Sequence, residues 1–261
     1  MELLVSDPYA YIDVFLLIFI RILSLFLAVP MFSNRTIPRL VKVGLAFFIS
    51  LILINVVDLE ISVSSSDLMN YALVLVKEFI TGWLIGFSAY LAYTTLVLAG
   101  QFVDSQIGFS MVNVFDPLSQ IQISITGNLY YYLVLLLTIA SNAHYFFIRA
   151  IINSYDFVPI GGLFLSPDLY NGLIGFFARF FGVALQIAAP FFFIMLLTNV
   201  VLAILARTAP QMNLFVIGFP IKILLGMLVM LITMSVFDNI SEMIIDMAKD
   251  FMNSTIKGMM P

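Results

Sequence analysis

Side chains capable of catalysis are sparse in this sequence, and the most suggestive group surrounds its single histidine, His144. Ser141 and Asn142 precede it, and a serine beside a histidine could form the nucleophile and base of a membrane-embedded hydrolase. The spacing supplies neither an oxyanion site nor an orienting acid, so a histidine at a helix end, bonded to backbone or water, is the favoured interpretation. Because the sequence has no cysteine, zinc motif, phosphate loop or paired-carboxylate signature, we expect no cofactor or metal site.

A second group of polar residues consists of charges embedded in apolar sequence. Each costs about 2.5 to 3.5 kcal/mol at the centre of a helix in lipid, so each is expected to face protein or water. Arg21, Arg179 and Lys222 could bind an anion or a proton-coupled substrate, but a structural pair with Asp13, Glu78 or a carboxylate of another subunit is favoured. Lys77 and Glu78 are adjacent, and because adjacent helical side chains point apart, we expect them to have separate partners. The embedded charges are Arg21, Lys77, Glu78, Arg179 and Lys222.

The last stretch of the chain carries a regular acidic pattern. Carboxylates recur at every fourth residue, which on a helix places them on one face, with apolar side chains largely opposite. A solvated face is the favoured interpretation, and docking against a basic partner surface is the alternative. The carboxylates are Asp238, Glu242, Asp246 and Asp250, and the apolar residues are Val236, Ile240, Met243, Ile244, Met247 and Phe251.

The segment from Gly100 to Gly127 is too polar for lipid and too apolar for an ordinary loop. Irregular backbone at membrane depth persists only where protein covers it or where it lines a water-filled cavity, so a conduit is the first hypothesis. Asp116-Pro117 predicts a turn, and the alternation of polar residues with isoleucine from Gln120 to Thr126 predicts a short strand. Flexible Phe and Met side chains could seal a pore by packing. On these residues alone, a buried contact between subunits is the favoured interpretation.

The composition places these residues in a polytopic membrane protein. Of the 261 residues, 62% are hydrophobic and 10% are charged, against about 45 to 50% apolar residues in soluble domains. The net charge of −4 and the lack of a Lys/Arg cluster argue against nucleic acid as a partner. The first apolar run has no basic start and no small-residue cleavage pattern after it, so we do not expect a removable signal peptide.

Six apolar runs organise the chain, although several are poor membrane spans. A transmembrane helix needs about 20 predominantly apolar residues, and Val43–Val57 is shorter. Pro190 is expected to kink the fifth run. Gly82 and Gly86, around Trp83, have the spacing of a close helix contact, with chance as the alternative. The runs are Tyr9–Phe32, Val43–Val57, Phe79–Ala99, Leu129–Ile152, Leu173–Ala206 and Leu214–Phe237.

Basic residues predict an orientation in the membrane. Arg35, Arg39 and Lys42 follow the first run, which places the first connection in the cytoplasm. With six spans, both termini would face outward, and the short turn Arg207–Asn213 would face the cytoplasm.

Several motifs together resemble the FliR family of flagellar export-gate proteins, over essentially the full length of the chain. The stretch Ala209–Phe215 is the most specific, since a polar turn of this composition between two apolar runs is not a generic membrane pattern. The motifs are Pro38-Arg39-Leu40, AGQFVDSQIGFS from Ala99, FDP at Phe115–Pro117, SNAHYFFIRA from Ser141, VPIGG from Val158 and LARTAPQMNLFVIGFPIKILLG from Leu205.

The resemblance implies an all-α membrane protein of long kinked helices and helical hairpins with export-gate architecture. A FliP-like portion would span residues 1–170 and a FliQ-like hairpin residues 171–261. The family forms a core part of the type III secretion pore for unfolded flagellar proteins, in the flagellar basal body at the bacterial inner membrane, and has no known catalytic residues. Implied partners are FliP-like, FliQ-like, FlhB-like and FlhA-like proteins, the secreted chains and membrane lipid.

The resemblance also implies a loop that plugs the closed gate, at about residues 106–122. Its pore-occupying residues would be Phe109, Met111, Val112, Val114 and Phe115. Arg207, Gln211 and Asn213, together with the four carboxylates near the end of the chain, are the candidates for facing partner subunits.

Two other functions stay open at this stage. One is the injectisome counterpart of the export gate. The other is a small-solute secondary transporter with a site near the membrane midplane that uses Arg21, Arg179 or Lys222.

Overall fold

In the computed structural model, residues 8–34, 36–55, 68–109, 124–211 and 213–260 are described, and every regular element among them is a helix. The prediction of an all-α membrane protein is confirmed. In chain order the helices are α1 (Pro8–Ala28), α2 (Pro30–Ser33), α3 (Arg39–Leu53), α4 (Leu68–Ile107), α5 (Ile125–Ala140), α6 (Tyr145–Phe157), α7 (Pro167–Thr208), α8 (Leu214–Met234) and α9 (Phe237–Gly258).

The strand predicted up to Thr126 is wrong where the structure describes it. Ser124 lies outside regular structure, and α5 begins at Ile125. The physical reason is a helix cap, because the Ser124 Oγ accepts a hydrogen bond from the backbone N–H of Gly127 at 2.9 Å. This cap outweighs the local preference of alternating residues for extended backbone. Residues 120–123 lie outside the described part of the chain.

Within the described residues, four helices are long and apolar enough to cross a membrane, namely α1, α4, α7 and α8. A fifth crossing results if the bent pair of α5 and α6 counts as one. The expectation of six spans is therefore wrong. Helix α3 has 15 residues and measures about 22 Å at 1.5 Å per residue, which is less than the roughly 30 Å hydrocarbon core. Four crossings, like six, would leave both termini on the same side of the membrane, whereas five would separate them, so the outward placement of both termini stays a prediction.

The fourth apolar run, Leu129–Ile152, does not form one straight helix. Residues 141–144 interrupt it, and α5 and α6 enclose a bend of 74°. Asn142 within this break has a φ of 59°, a left-handed conformation that asparagine adopts more readily than most residues. The break therefore depends on a local backbone preference that an apolar run conceals.

Two of the helices are much longer than the membrane is thick. Helix α4 has 40 residues and α7 has 42, which corresponds to about 60 Å for each, twice the roughly 30 Å hydrocarbon core. Part of each helix must therefore lie outside the hydrocarbon or against other protein. Helix α7 continues through Pro190 without interruption, and the kink there stays a prediction.

The described residues form two compact units. The first unit draws on Met1–Ala92, Thr138–Phe177 and Ile245–Pro261, and the second on Tyr93–Leu137 and Ala178–Ile244. Helices α4, α5, α7 and α9 each continue from one unit into the other. The proposed boundary between residues 170 and 171 lies within α7 and stays a prediction.

In the first unit, the small-residue pair Gly82 and Gly86 of α4 packs against α1. A Cβ at Gly82 would overlap the Arg21 carbonyl and the Ser24 hydroxyl, and a Cβ at Gly86 would lie 2.8 Å from the Leu25 carbonyl oxygen. The predicted close helix contact is confirmed. Trp83 has 41% of its surface exposed, so it does not take part in this burial.

In the second unit, side chains of α4, α7 and α8 form an apolar core. The fully or almost fully buried members of this core cluster are Val103, Ile107, Ala188, Phe191, Met195 and Val229. The start of α5 approaches α4 through two glycines, since a Cβ at Gly100 would overlap the backbone N and Cα of Gly127. A Cβ at Gly127 would in turn lie 2.8 Å from the Val97 carbonyl oxygen. The two helices are therefore in backbone contact.

We predict that Gly100→Ala destabilises the protein. The added methyl group meets backbone atoms, which cannot rotate away, and overpacking of this kind costs about 1 to 3 kcal/mol or more. Gly182→Ala is the matched control, because a Cβ there meets nothing within 4 Å and alanine is the better helix former. Thermal unfolding in detergent should show a lower midpoint for Gly100→Ala than for the wild-type protein, and no decrease for Gly182→Ala. Equal midpoints for both variants would contradict the backbone contact.

Candidate functional site

The described part of the chain on the two sides of residues 110–123 forms a distinct polar site in the second unit. Helix α4 ends at Ile107, and Gly108 follows with a φ of 100°. The Gly108 N–H donates a hydrogen bond to the Asp104 carbonyl at 3.0 Å. Glycine at this position ends a helix without steric cost, because it lacks the Cβ that disfavours positive φ. The chain therefore leaves α4 at a defined point.

The return of the chain is bound to the same residue. The Ser124 hydroxyl donates to the Asp104 Oδ2 at 2.7 Å, and the Thr126 backbone N–H donates to Oδ1 at 3.3 Å. The first N–H groups of a helix have no partners within it, and here Asp104 and Ser124 supply acceptors for Thr126 and Gly127. Sequence reasoning missed this role of Asp104, because its two partners lie 20 and 22 residues away.

Of the predicted pore residues, the structure describes Phe109 alone. Phe109 is partly buried and packs against the core cluster of the second unit. The other four, Met111, Val112, Val114 and Phe115, lie outside the described residues. Their position in a pore stays a prediction.

Arg21 and Glu78 form a buried ion pair in the first unit. The Arg21 Nε lies 2.6 Å from the Glu78 Oε2, the Nη2 lies 3.0 Å from Oε1, and both side chains are 1% exposed. The remaining donors of Arg21 reach Ser154 Oγ, the Val158 carbonyl and the Pro159 carbonyl at 3.3, 2.9 and 3.5 Å. All five N–H groups of the guanidinium therefore have protein acceptors, and none is left for an anionic substrate.

The same pair holds the turn that follows α6. The Glu78 Oε1 accepts the Gly161 N–H at 2.8 Å, and the Lys77 Nζ donates to the Gly161 carbonyl at 3.1 Å. Gly161 has a φ of 74°, which disfavours any residue with a Cβ. Lys77 and Glu78 share Gly161 as a partner, and Glu78 also binds Arg21, so the prediction of separate partners holds only in part. The VPIGG motif is the sequence signal of this turn, although its contact with Arg21 was not foreseen.

The other two embedded basic residues have different surroundings. Arg179, on α7, is exposed, and Lys222, on α8, is half-buried. Both belong to the second unit, whereas Arg21 belongs to the first. Their roles as structural charges stay predictions.

The acidic pattern near the end of the chain forms one exposed face of α9. Asp238, Glu242, Asp246 and Asp250 are all exposed, which confirms the predicted ridge. Of the apolar set, Ile244, Met247 and Phe251 are buried, Ile240 and Met243 are half-buried, and Val236 precedes the helix and is exposed. Lys249 Nζ lies 2.7 Å from Asp246 Oδ1 in an exposed pair, which contributes little in water. The partner-facing role of these carboxylates stays a prediction.

The predicted polar turn between α7 and α8 is present. Helix α7 ends at Thr208 and α8 begins at Leu214. Arg207, Gln211 and Asn213 are exposed, as a surface that meets a partner requires. Their contact with another subunit stays a prediction.

The residues around His144 do not form a nucleophile and base. The Ser141 hydroxyl donates to the Thr138 carbonyl at 3.4 Å, and His144 immediately precedes α6. The His144 Nδ1 is buried without a hydrogen-bond partner in the described part of the chain. Among those same residues, no group of His, Asp or Glu side chains could hold a metal ion.

We predict that Glu78→Ala lowers the free energy of unfolding by about 3 to 5 kcal/mol, because it leaves the Arg21 charge buried without a carboxylate. The double variant Arg21→Met/Glu78→Leu should recover part of this loss. Asp246→Ala is the matched control, since it removes an ion pair of similar length that is exposed. Thermal or denaturant unfolding in detergent measures all three, and wild-type stability of Glu78→Ala would contradict the structural role of the pair.

Comparison with known proteins identifies the family. Residues 12–248 match Bacterial export proteins, family 1. The chain is similar to Flagellar biosynthetic protein FliR of Bacillus subtilis (strain 168), with 33% identity over 227 residues that cover 85% of this chain and 86% of the relative. Proteins of the same name from Buchnera aphidicola subsp. Acyrthosiphon pisum and Escherichia coli (strain K12) are 31% and 28% identical, and the aligned regions cover 91% and 81% of this chain and 91% and 80% of the relatives. The chain therefore belongs to Bacterial export proteins, family 1.

Proposed function

We propose that this chain is a non-enzymatic core subunit of the flagellar type III export gate and forms part of the pore for unfolded flagellar proteins. The observation that carries the proposal is the family match over residues 12–248. The names of the relatives from Bacillus subtilis, Buchnera aphidicola and Escherichia coli support the flagellar branch over the injectisome branch.

Within this gate, the region at residues 106–122 acts as the plug. Two observations support this assignment. Ser124 and Thr126, which follow the region, are bound to Asp104, which precedes it, and Phe109 packs against the core cluster of the second unit. A segment that seals a pore must hold its side chains in defined positions, and fixed residues on both sides of the segment help to do so. The sealing residues would be Phe109, Met111, Val112, Val114 and Phe115.

The surroundings of the subunit follow from its exposed apolar surface. The part of α7 in the second unit exposes large apolar side chains that water does not favour, so lipid or neighbouring subunits must cover them. We assign this role to FliP-like and FliQ-like subunits, with FlhB-like and FlhA-like proteins beside them, in the inner membrane. The portions 1–170 and 171–261 would correspond to FliP-like and FliQ-like architecture. The exposed side chains include Phe193, Leu196, Val200, Val201 and Ile204.

The alternative functions receive less support. A secondary transporter that binds substrate through Arg21 would need free donors, and all of those donors have protein acceptors. A hydrolase at His144 would need the Ser141 hydroxyl, which donates to the backbone instead.

We predict that deletion of Phe109–Phe115 leaves assembly of the gate intact and makes the membrane leak ions or small solutes. The deletion removes the sealing side chains and keeps the hydrogen bonds of Asp104 with Ser124 and Thr126, which join the chain before the region to the chain after it. Ion flux through membranes containing the assembled complex measures the effect.

The control is Asp156→Asn, an exposed substitution on α6 that should leave the ion barrier unchanged. An intact barrier in the assembled deletion variant would contradict the assignment of the plug.

A further inference from the structure

Asp104 is a carboxylate with only 6% of its surface exposed, near the end of an apolar helix. A buried carboxylate is costly unless hydrogen bonds compensate the charge. The compensation here comes from the Ser124 hydroxyl at 2.7 Å and the Thr126 N–H at 3.3 Å, both at the start of α5. A negative charge beside the N-terminal end of a helix is favourable in addition, because the helix dipole is positive there. The groups that stabilise the buried Asp104 carboxylate therefore all belong to the start of α5.

This contact joins the place where the chain leaves α4 to the place where it returns at the start of α5. Gly108, four residues after Asp104, turns the chain out of α4, and Ser124 brings it back. The contact of Gly100 with Gly127 lies one helical turn before Asp104 on the same face of α4, and it brings the two backbones together. Close packing between glycines is not directional, so it does not by itself define how far one helix slides along the other. The hydrogen bonds of Asp104 do so, because each requires a particular donor at a particular place.

We propose that Asp104 is a positioning residue, which fixes the start of α5 against the end of α4 and so sets the separation at which the chain leaves α4 and returns at Ser124. The inference rests on the proposed function for its consequence, since a sealing region needs defined ends. Asp104 acts through Ser124 and Thr126 and does not itself contact a transported chain.

Two substitutions separate the hydrogen bonds of Asp104 from its charge. Asp104→Leu keeps the branching at Cγ and replaces both acceptor oxygens with methyl groups, which are larger and cannot accept hydrogen bonds. Asp104→Asn removes the charge, but its amide oxygen can accept the Thr126 N–H, and its NH2 group can donate to the Ser124 Oγ. If hydrogen bonds define the position of α5, the asparagine variant retains it and the leucine variant loses it.

The absence of cysteine in the sequence allows a direct measurement. The Thr126 side chain is fully buried, and its Oγ1 has no hydrogen-bond partner among the described residues, so Thr126→Cys introduces a reporter at little cost. Ser88→Cys, equally buried in the first unit, serves as the reporter of general unfolding. The rate at which a maleimide labels each cysteine in the assembled gate complex reports how often that site opens.

We expect Asp104→Leu to speed labelling at position 126 by about tenfold or more, corresponding to the loss of roughly 1.4 kcal/mol from the closed site. Labelling at position 88 should not change, and Asp104→Asn should label position 126 at close to the wild-type rate. No increase with Asp104→Leu would overturn the proposal. Equal increases at positions 126 and 88 would also overturn it, because they show general loss of packing. If Asp104→Asn labels as fast as Asp104→Leu, the charge matters and the hydrogen bonds do not, which likewise overturns it.

Ion flux measured on the same complexes separates this inference from the proposed function. Faster labelling with a leak supports both. Faster labelling with an intact barrier supports the positioning role of Asp104 and counts against the sealing role of the plug region.

Discussion

The buried charge of Arg21 is the constraint on which the first unit depends. A guanidinium removed from water must find acceptors for all of its N–H groups, and here Glu78, Ser154 and the backbone of Val158 and Pro159 supply them. These acceptors come from α4, α6 and the turn after α6, so the pair joins elements far apart in sequence. The close contact of Gly82 with the Arg21 carbonyl lets α4 approach α1 near enough for the pair to form.

In the second unit the buried charged group is a carboxylate, that of Asp104. Apolar packing drives burial but is non-directional. In a chain that is 62% hydrophobic, it therefore favours many relative positions of two helices almost equally. The buried Asp104 carboxylate favours one of these positions, because its hydrogen bonds form only where its donors lie within reach. The buried Arg21–Glu78 pair in the first unit and the buried Asp104 in the second therefore define where particular helices begin, end and turn. In the export subunit proposed here, defined positions of the flanking residues would let the apolar region between Gly108 and Ser124 seal a pore.

The sequence predicts the helical class, the acidic face of α9 and the contact at Gly82 and Gly86, because these depend on local periodicity. It also narrows the partner of Arg21 to a few carboxylates, since a buried charge must be paired. It does not predict the break at Asn142 or the cap at Ser124, where a single residue's backbone preference overrides a longer pattern. The partners of Asp104 are likewise hidden, because tertiary folding alone brings together residues that are 20 positions apart.

The central claim is that this chain works as a core subunit of a multi-protein export gate. Native mass measurement of the affinity-purified membrane complex tests it most directly. The account predicts one assembly in which the chain is bound to smaller polytopic subunits of FliP-like and FliQ-like size. A stable lone monomer, with no polytopic partners, would contradict it.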